Sequence, residues 1–242
     1  MKTSFLIVGH RGASALFPEN TIRSIEGAVE CGATAVEVDI RATSDGYLVL
    51  SHDPTLERTF GLAKRVSDTK LSEMKELRFN GEPVATLEDA VQAVAGRVGL
   101  DLDIKVTGYE ERIVGVIKER GHFESTMFTS FFPEVIFRIN EIAPEANKGL
   151  ITMGTTKEAI LICSEIGSET ILPFFGDLDD ELINRIKSSE LRMIPWTIND
   201  PDEAQRLLNE GAEGVITDDP CNLAKLIDRG RHTIKQTRKQ PT

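Results

Sequence analysis

The sequence predicts a single (β/α)8 TIM barrel, in which eight parallel strands form a closed ring inside a layer of helices. Strand-like apolar runs alternate with amphipathic segments along the whole chain, and its 242 residues match the size of one such barrel. No Gly-x-Gly-x-x-Gly motif follows the first strand, which argues against a dinucleotide-binding sheet. A doubly wound open sheet is the alternative that the strand pattern alone leaves open.

The first strand is predicted at residues 5–8, and the first helix begins near Asn20. Asn is a common N-cap residue, and Gly32 has the position of a C-cap glycine. Between them, apolar residues recur at helical spacing, at Ile22, Ile25 and Val29. We therefore expect a helix between the two capping residues.

Two strand-like runs, residues 35–40 and 47–51, follow with no helix between them. The pair Asp45-Gly46 is a turn signal that separates the two runs. With these runs the chain has nine candidate strands, whereas a barrel needs eight. We expect the surplus strand in this pair.

The remainder of the barrel is predicted as six helix–strand pairs and a closing helix. The pairs are residues 87–94 and 100–106, 109–119 and 126–130, 133–142 and 149–152, 156–166 and 170–173, 178–188 and 193–198, and 201–209 and 214–217, with the closing helix near 222–228. Residues 54–85 form the one long stretch without this alternation. Since loops of this length are usually functional or disordered, we expect a small lid or wall over a site.

The net charge of −11 argues against a nucleic-acid partner, because such proteins need a basic face. Residues 229–242 are the exception, with five basic residues and no acidic one. We assign residues 1–228 to one barrel domain and 229–242 to a flexible, solvated tail. A membrane-surface or partner-binding arm is the alternative for the tail. No run approaches the roughly 18 apolar residues of a spanning helix, so we expect no membrane insertion.

The three cysteines, Cys31, Cys163 and Cys221, lie far apart and form no Cys-x-x-Cys pair. This sparse, odd number predicts neither a zinc site nor a disulfide framework and fits a reducing compartment. The apolar run at the N-terminus is too short for a signal peptide. These observations predict a cytoplasmic location.

Charged residues share one face of two predicted strands, since side chains alternate along a strand. They are Glu37, Asp39 and Arg41 on one strand and Asp101, Asp103 and Lys105 on the other. Charges inside a barrel persist only if they are paired or bound to a metal. The carboxylates therefore predict a site for a divalent cation, Mg²⁺ or Ca²⁺, and an ion-pair network with Arg41 and Lys105 is the alternative.

His10 and His52 each follow an apolar run, at the strand end where barrel active sites lie. Two histidines beside a phosphate serve as base and acid, because histidine titrates near neutral pH. A single histidine at such a position is more often structural, but two beside a carboxylate cluster favour catalysis. Arg11 is a candidate phosphate ligand, with a salt bridge to Glu19 or Glu37 as the structural alternative.

Several motifs occur together in a fixed order. They are His10-Arg11-Gly12, Pro18-Glu19-Asn20-Thr21, Glu37-Val38-Asp39, Thr43-Ser44-Asp45-Gly46, His52-Asp53, Asp103-Ile104-Lys105, Ser130-Phe131, Trp196-Thr197-Ile198-Asn199 and Gly214-Val215-Ile216-Thr217-Asp218. In this order the chain resembles the glycerophosphodiester phosphodiesterase family of phospholipase-C-like barrels. The resemblance covers most of residues 5–220 and implies that residues 54–85 are the family's small insertion beside the active site.

The resemblance implies a role for each motif residue. His10 is the expected general base and His52 the general acid, Glu37 and Asp39 bind the metal, and Arg11 and Lys105 bind phosphate. In the family's usual mechanism, the base deprotonates the glycerol 2-hydroxyl, which attacks phosphorus while the acid protonates the leaving alcohol. A cyclic glycerophosphate then hydrolyses to glycerol 3-phosphate.

Asp103 departs from the family pattern, which normally has Glu two residues before the lysine. We expect Asp103 to bind the metal still, either directly with the metal closer to its strand or through a water. Trp196 and, more weakly, Phe175 are expected as a wall against the glycerol or alcohol moiety, with a packed barrel-top aromatic as the alternative for Trp196. Asn20 is expected to cap its helix, and Glu19 to hold Arg11.

Small, water-soluble glycerophosphodiesters are the expected substrates, because residues 54–85 have few large apolar side chains and no anchoring helix. A lysophospholipase D-type phosphodiesterase on larger lipids is the alternative on the same scaffold. A catalytically silent, phosphate-binding barrel is the alternative from another class. The sequence leaves the head group and the oligomeric state open.

Overall fold

The computed structural model describes residues 6–224, and the basic tail and the last part of the predicted closing helix lie outside them. The strands are β1 Leu6–Gly9, β2 Ala35–Ala42, β3 Leu48–Leu50, β4 Arg78–Phe79, β5 Glu82–Pro83, β6 Gly99–Ile104, β7 Thr126–Ser130, β8 Asn147–Thr152, β9 Thr170–Pro173, β10 Arg192–Met193 and β11 Gly214–Thr217. The α-helices are α1 Ile22–Glu30, α2 Glu57–Phe60, α3 Leu71–Met74, α4 Leu87–Val94, α5 Glu110–Glu119, α6 Pro133–Ile142, α7 Thr156–Cys163, α8 Asp180–Ser188 and α9 Pro201–Asn209. A further helix begins at residue 220.

Eight parallel strands form the barrel in the order β10, β9, β8, β7, β6, β2, β1, β11. Backbone hydrogen bonds join the two ends of this row, from Glu213 N to Met193 O at 2.9 Å and from Ile216 N to Pro195 O at 3.0 Å. The ninth strand, β3, pairs antiparallel with β2. The predicted (β/α)8 barrel is therefore confirmed, and the surplus strand lies in the predicted pair.

Alternation along β2 and β6 sorts the side chains into two environments. Glu37 pairs in register with Asp101, and Asp39 with Asp103, so four carboxylates meet on one face. The intervening residues pack outward against the helices in the main core, and they include Val36, Val38, Ile40, Leu100, Leu102 and Ile104. Burial of these aliphatic side chains holds the two strands in place and forces the carboxylates into the barrel.

The first helix is capped by Thr21, and the prediction that Asn20 caps it is wrong. The Thr21 side chain accepts a hydrogen bond from Ser24 N, as an N-cap residue does. Asn20 has a φ of 57°, in the left-handed region that Asn tolerates, and its side chain turns toward β2. Gly32 ends the helix with a φ of 88°, as predicted.

Residues 54–85 fold into a small unit beside the barrel. The unit contains α2, α3 and the two-stranded β4–β5 ribbon. A separate apolar cluster stabilises it and attaches it to β3, and its buried members are Val49, Leu56, Val66, Met74 and Val84. Helical and apolar spacing within single turns is too short to be recognised from sequence, which explains why these elements were not predicted.

A disulfide joins Cys31, directly after α1, to Cys221 in the helix that begins at residue 220. The prediction that the cysteines form no disulfide is therefore wrong. Pairing was not apparent because 190 residues separate the two positions, which the closed barrel brings to a Cα–Cα distance of 4.4 Å. The cysteine pattern no longer argues for a reducing compartment. Among the helices of residues 6–224, none is both long and apolar enough to cross a membrane.

Candidate active site

A strained turn after β1 positions the first site residue. Arg11 has a φ of 53°, and its backbone N donates to Glu37 Oε2 at 2.7 Å while its carbonyl accepts from Ser24 Oγ at 2.7 Å. Gly12 follows with a φ of 88°, and a Cβ there would lie 2.1 Å from Ser24 Oγ. Non-glycine residues in the left-handed region are held by their surroundings and concentrate at functional sites.

Three buried carboxylates from β2 and β6 lie together inside the barrel. Glu37, Asp39 and Asp103 each offer an oxygen, and these oxygens lie within 4.8 Å of one another. Lys105 joins them, with its Nζ 3.1 Å from Asp39 Oδ1 and in contact with Asp103 Oδ2. Arg41 does not pair with these carboxylates and donates instead to the carbonyl of His52. Of the two predicted cations, only Lys105 forms the expected ion pairs.

Asn20 orients the central carboxylate of this group. Its Nδ2 donates to Asp39 Oδ2 at 2.7 Å, and its Oδ1 accepts from Asp39 N at 3.1 Å. The Arg11 Nε lies 3.3 Å from the same Oδ2. These donors and Lys105 together lower the pKa of Asp39, although burial alone would raise it. Asp39 therefore keeps its negative charge at a pH at which the neighbouring carboxylates Glu37 and Asp103 bind protons.

The cavity carries more negative than positive charge. Four carboxylates face only two cations, Arg11 and Lys105. Burial and the neighbouring carboxylates raise the pKa of Glu37 well above its ordinary value, and burial raises that of Asp103 to about 6 and that of Asp101 to about 7. In the absence of a cation, protons would have to neutralise this excess charge.

The carboxylate group fits a divalent cation. Two buried oxygens, Asp103 Oδ1 and Asp101 Oδ2, have no hydrogen-bond partner among the described residues. Ca²⁺ binds oxygen at about 2.3–2.6 Å, so oxygens up to 4.8 Å apart can share one ion. An all-oxygen donor set is also the one that Mg²⁺ and Ca²⁺ prefer. A double positive charge would balance the excess of two negative charges in the cavity.

His10 lies directly after β1 and is held by Asp218, which follows β11. The His10 Nδ1 is 2.6 Å from Asp218 Oδ1, leaving Nε2 as the free ring nitrogen. Ser14 Oγ donates to Asp218 Oδ1 at 3.0 Å, and Asn199 Nδ2 donates to Oδ2 at 2.9 Å. Hydrogen bonds from His10 and Asn199 lower the pKa of Asp218 to about 2, against the effect of burial.

His52 follows β3 and has its own carboxylate partner. Its Nδ1 is 2.7 Å from Asp53 Oδ1, and burial lowers the pKa of the ring. Arg58 of the insertion donates through Nε to Asp53 Oδ2 at 2.5 Å. Glu19 accepts from both Arg11 and Arg58, which confirms the expected contact between Glu19 and Arg11. In both histidines a carboxylate therefore holds Nδ1, and Nε2 is the nitrogen left to exchange a proton.

An aromatic wall closes the other side of the cavity. Phe131 and Trp196 line it with their rings edge to face at 5.6 Å, and Trp196 Nε1 donates to Leu172 O at 2.9 Å. Phe175 does not line the cavity; its ring contacts Phe174, which in turn contacts Trp196. The cavity between this wall and the carboxylates has a volume of about 70 Å³ and is open to solvent on one side.

The structure thus brings together most of the predicted site residues. They are His10, Arg11, Glu37, Asp39, His52, Asp103, Lys105 and Trp196, and all of them line one cavity with Asp101 and Phe131. Sequence reasoning missed the orienting contacts of Asn20, Asp218 and Arg58. Asn20 and Asp218 lie within motifs recognised in the sequence, whereas Arg58 carried no signal of its own.

The chain is similar in sequence and in fold to known proteins. A sequence profile described as "Glycerophosphoryl diester phosphodiesterase family" matches residues 10–222. A glycerophosphodiester phosphodiesterase of Caldanaerobacter subterraneus subsp. tengcongensis is 31% identical over 95% of this chain and 100% of its own. A phosphodiesterase of Oleispira antarctica, solved in complex with the product sn-glycerol-3-phosphate, has a TM-score of 0.84 at 27% identity and covers 92% of this chain and 96% of its own. A Thermotoga maritima glycerophosphodiester phosphodiesterase has a TM-score of 0.80 at 27% identity, with 92% and 98% covered.

Proposed function

This chain belongs to the glycerophosphoryl diester phosphodiesterase family, and we propose that it hydrolyses small glycerophosphodiesters to glycerol 3-phosphate and an alcohol. The arrangement that carries the proposal is a pair of cavity-lining histidines beside three buried carboxylates. Each histidine has Nδ1 occupied by a carboxylate and Nε2 free, as general acid–base catalysis requires. The product bound to the Oleispira antarctica phosphodiesterase supports the same class of substrate.

In the first step of the proposed reaction, His10 Nε2 accepts the proton of the glycerol 2-hydroxyl. That oxygen bonds to phosphorus while the bond from phosphorus to the alcohol oxygen breaks, and His52 Nε2 donates its proton to the leaving oxygen. The products of this step are a cyclic glycerophosphate and the free alcohol. Asp218 and Asp53 stabilise the imidazolium forms of their respective partners, because each contacts Nδ1.

In the second step, water adds to the cyclic phosphate with the two histidines in exchanged roles. His52 takes the proton of the water as its oxygen bonds to phosphorus, and His10 returns a proton to the glycerol 2-oxygen as that bond breaks. Glycerol 3-phosphate leaves, and both histidines recover their starting protonation. Arg11 and Lys105, with side chains 17% and 11% exposed, face the phosphate oxygens as they gain charge.

Glu37, Asp39 and Asp103 would hold a divalent cation, Mg²⁺ or Ca²⁺. When bound, the cation supplies positive charge for the phosphoryl oxygens and lowers the pKa of the attacking hydroxyl. Asp103 has a shorter side chain than the Glu that is usual in the family. Direct binding is supported because oxygens of Glu37, Asp39 and Asp103 lie within 4.8 Å of one another, close enough to share one ion.

The test is release of choline and glycerol 3-phosphate from glycerophosphocholine, with Mg²⁺, with Ca²⁺ and with a chelator. We expect turnover with at least one cation and its loss in chelator. His10→Ala and His52→Ala should each lower kcat by about 10²-fold or more. His122→Gln is the control, because His122 lies outside the cavity and contacts Ser125. Folded, cation-loaded protein without turnover on any glycerophosphodiester would refute the proposal.

A second candidate is hydrolysis of lysophospholipids. An arc of exposed apolar side chains follows β7, β8 and β9, and it consists of Phe131, Phe132, Met153 and Phe175, which are 36–58% exposed. Such an arc beside the cavity would accommodate the acyl chain of a larger diester. Comparing kcat/KM for glycerophosphocholine and lysophosphatidylcholine separates the two substrates. If the arc binds acyl chains, Met153→Ser should lower kcat/KM for lysophosphatidylcholine and leave kcat/KM for glycerophosphocholine unchanged.

A further inference from the structure

Arg58 links the insertion to two parts of the catalytic cavity. Its Nε donates to Asp53 Oδ2 at 2.5 Å, and its two Nη atoms donate to the two oxygens of Glu19 at 2.9 and 2.7 Å. On their other sides, Asp53 contacts His52 Nδ1 at 2.7 Å and Glu19 contacts Arg11 Nη1 at 3.0 Å. The Arg58 guanidinium is therefore linked to His52 through one carboxylate and to Arg11 through another.

We propose that Arg58 is a positioning residue, which holds His52 through Asp53 and Arg11 through Glu19. This inference rests on the proposed function, in which His52 is the proton donor and Arg11 a phosphate ligand. The planar guanidinium of Arg58 bonds both carboxylates at once, with a bidentate pair to Glu19. Through these bonds the folded insertion becomes a support of the active site.

The position of His52 depends on Arg58 more than the position of Arg11 does. Within residues 6–224, the His52 ring has no hydrogen bond except the one to Asp53. Arg11 has a second contact, 3.3 Å from Nε to Asp39 Oδ2, and a backbone held by Glu37. Loss of the Arg58 guanidinium would release the only fixed partner of the proton donor, while the phosphate ligand would keep part of its support.

The two histidine–carboxylate pairs also differ in what holds the carboxylate. Asp218, the partner of His10, accepts hydrogen bonds from the uncharged Ser14 and Asn199. Asp53 is instead paired with a full positive charge on Arg58. The positive charge of Arg58 partly neutralises the Asp53 carboxylate. Asp53 therefore stabilises the His52 imidazolium less than a carboxylate without a cationic partner would. A weaker hold on its proton suits a residue that must donate one.

The experiment compares two diesters that differ in their need for a proton donor. Choline leaves glycerophosphocholine as a strongly basic alkoxide unless it is protonated, whereas 4-nitrophenolate leaves glycerol 4-nitrophenyl phosphate unaided. Release of the alcohol in the first turnover is measured for wild type, Arg58→Ala and Arg58→Lys. Inhibition by glycerol 3-phosphate reports the phosphate ligands. Lys64→Ala is the matched control, since it removes an exposed ion pair with Glu73 in the same insertion.

We expect Arg58→Ala to slow choline release at least about tenfold more than 4-nitrophenol release. The inhibition constant of glycerol 3-phosphate should rise severalfold. Arg58→Lys should recover only part of both effects, because an ammonium cannot form the bidentate contact. Lys64→Ala should change neither. Asp53→Asn should reproduce the leaving-group effect alone, and Glu19→Gln the inhibition effect alone.

Equal losses on the two substrates with an unchanged inhibition constant would overturn the inference, since a purely structural role lowers the active fraction uniformly. Full activity of Arg58→Ala would overturn it as well. If the melting temperature shows that Arg58→Ala does not fold, Arg58→Lys takes its place. The rates on the two substrates and the inhibition constant of glycerol 3-phosphate are then compared for Arg58→Lys and wild type. If wild type and Lys64→Ala hydrolyse neither diester, the proposed function fails and the inference falls with it.

Discussion

Replacement of Asp218 by Asn should impair His10 through a specific hydrogen-bond conflict. Asn199 cannot rotate its amide, because its Oδ1 already accepts from Thr217 Oγ1 at 3.0 Å and from Asp218 N at 2.9 Å. Its Nδ2 therefore always points at residue 218. The introduced amide must turn its oxygen toward Asn199 and its NH2 toward His10 Nδ1. That orientation moves the His10 proton to Nε2, where a base must be unprotonated.

The magnitude follows from two contributions. The productive orientation sets two NH2 groups against each other, and an unsatisfied donor costs about 1–3 kcal/mol. The variant also loses the charge that stabilises the His10 imidazolium. Since the Asp218 side chain is 31% exposed, we take about 1 kcal/mol for the loss of this solvent-screened charge. Together they lower kcat by about 30-fold to 10³-fold.

Steady-state hydrolysis of glycerophosphocholine by cation-loaded Asp218→Asn measures this loss. The double variant Asp218→Asn/Asn199→Asp is the sharper test. The carboxylate introduced at 199 accepts the amide NH2 and leaves the amide oxygen for His10 Nδ1, so kcat should rise about tenfold over the single variant. A single variant within about threefold of wild type, or a double variant without any gain, would refute this account of how His10 is held.

Three further predictions concern the carboxylates and the disulfide. Burial raises the pKa of Asp101 to about 7, so the folded, cation-free protein holds this proton longer than the unfolded chain and loses stability as pH rises from about 4 to 7. Asp101→Asn should remove this loss, on the order of 4 kcal/mol, and urea unfolding at pH 8 should show a gain that is absent near pH 4. Asp103→Asn should raise the Kd for Mg²⁺ or Ca²⁺ about tenfold or more by calorimetry, and an unchanged Kd would exclude Asp103 as a ligand. Cys31→Ser should lower the unfolding free energy by on the order of 5 kcal/mol at most, because the disulfide with Cys221 spans 190 residues, and added reductant should then have no further effect.

The barrel could be predicted because its signals are local and repeated. Alternation in β2 and β6 identified both the apolar face and the charged face, and the register of Glu37 with Asp101 confirms that arrangement. Even the surplus strand was expected at the correct place, since Asp45-Gly46 separates two extended runs. The insertion was not predicted in detail, because its helices α2 and α3 have only four residues each.

The candidate site likewise has a part that could be predicted from the sequence and a part that could not. Residue type and strand position suffice to select His10, His52 and the carboxylates as one group. They do not determine the partner of a side chain, and so Asn20 was expected to cap a helix that Thr21 caps. Phe175 was expected on the cavity wall, where Phe131 lies instead with Trp196.

The sequence by itself determined the fold class, the family and the chemistry available at the strand ends, because these depend on which residues recur at which spacing. Only the tertiary structure decided which groups touch. Asp218 reaches His10 across 208 residues, Cys221 reaches Cys31 across 190, and Arg58 reaches Glu19 across 39. Such contacts arise from closure of the barrel and docking of the insertion, and side-chain directions within a few ångströms decide them.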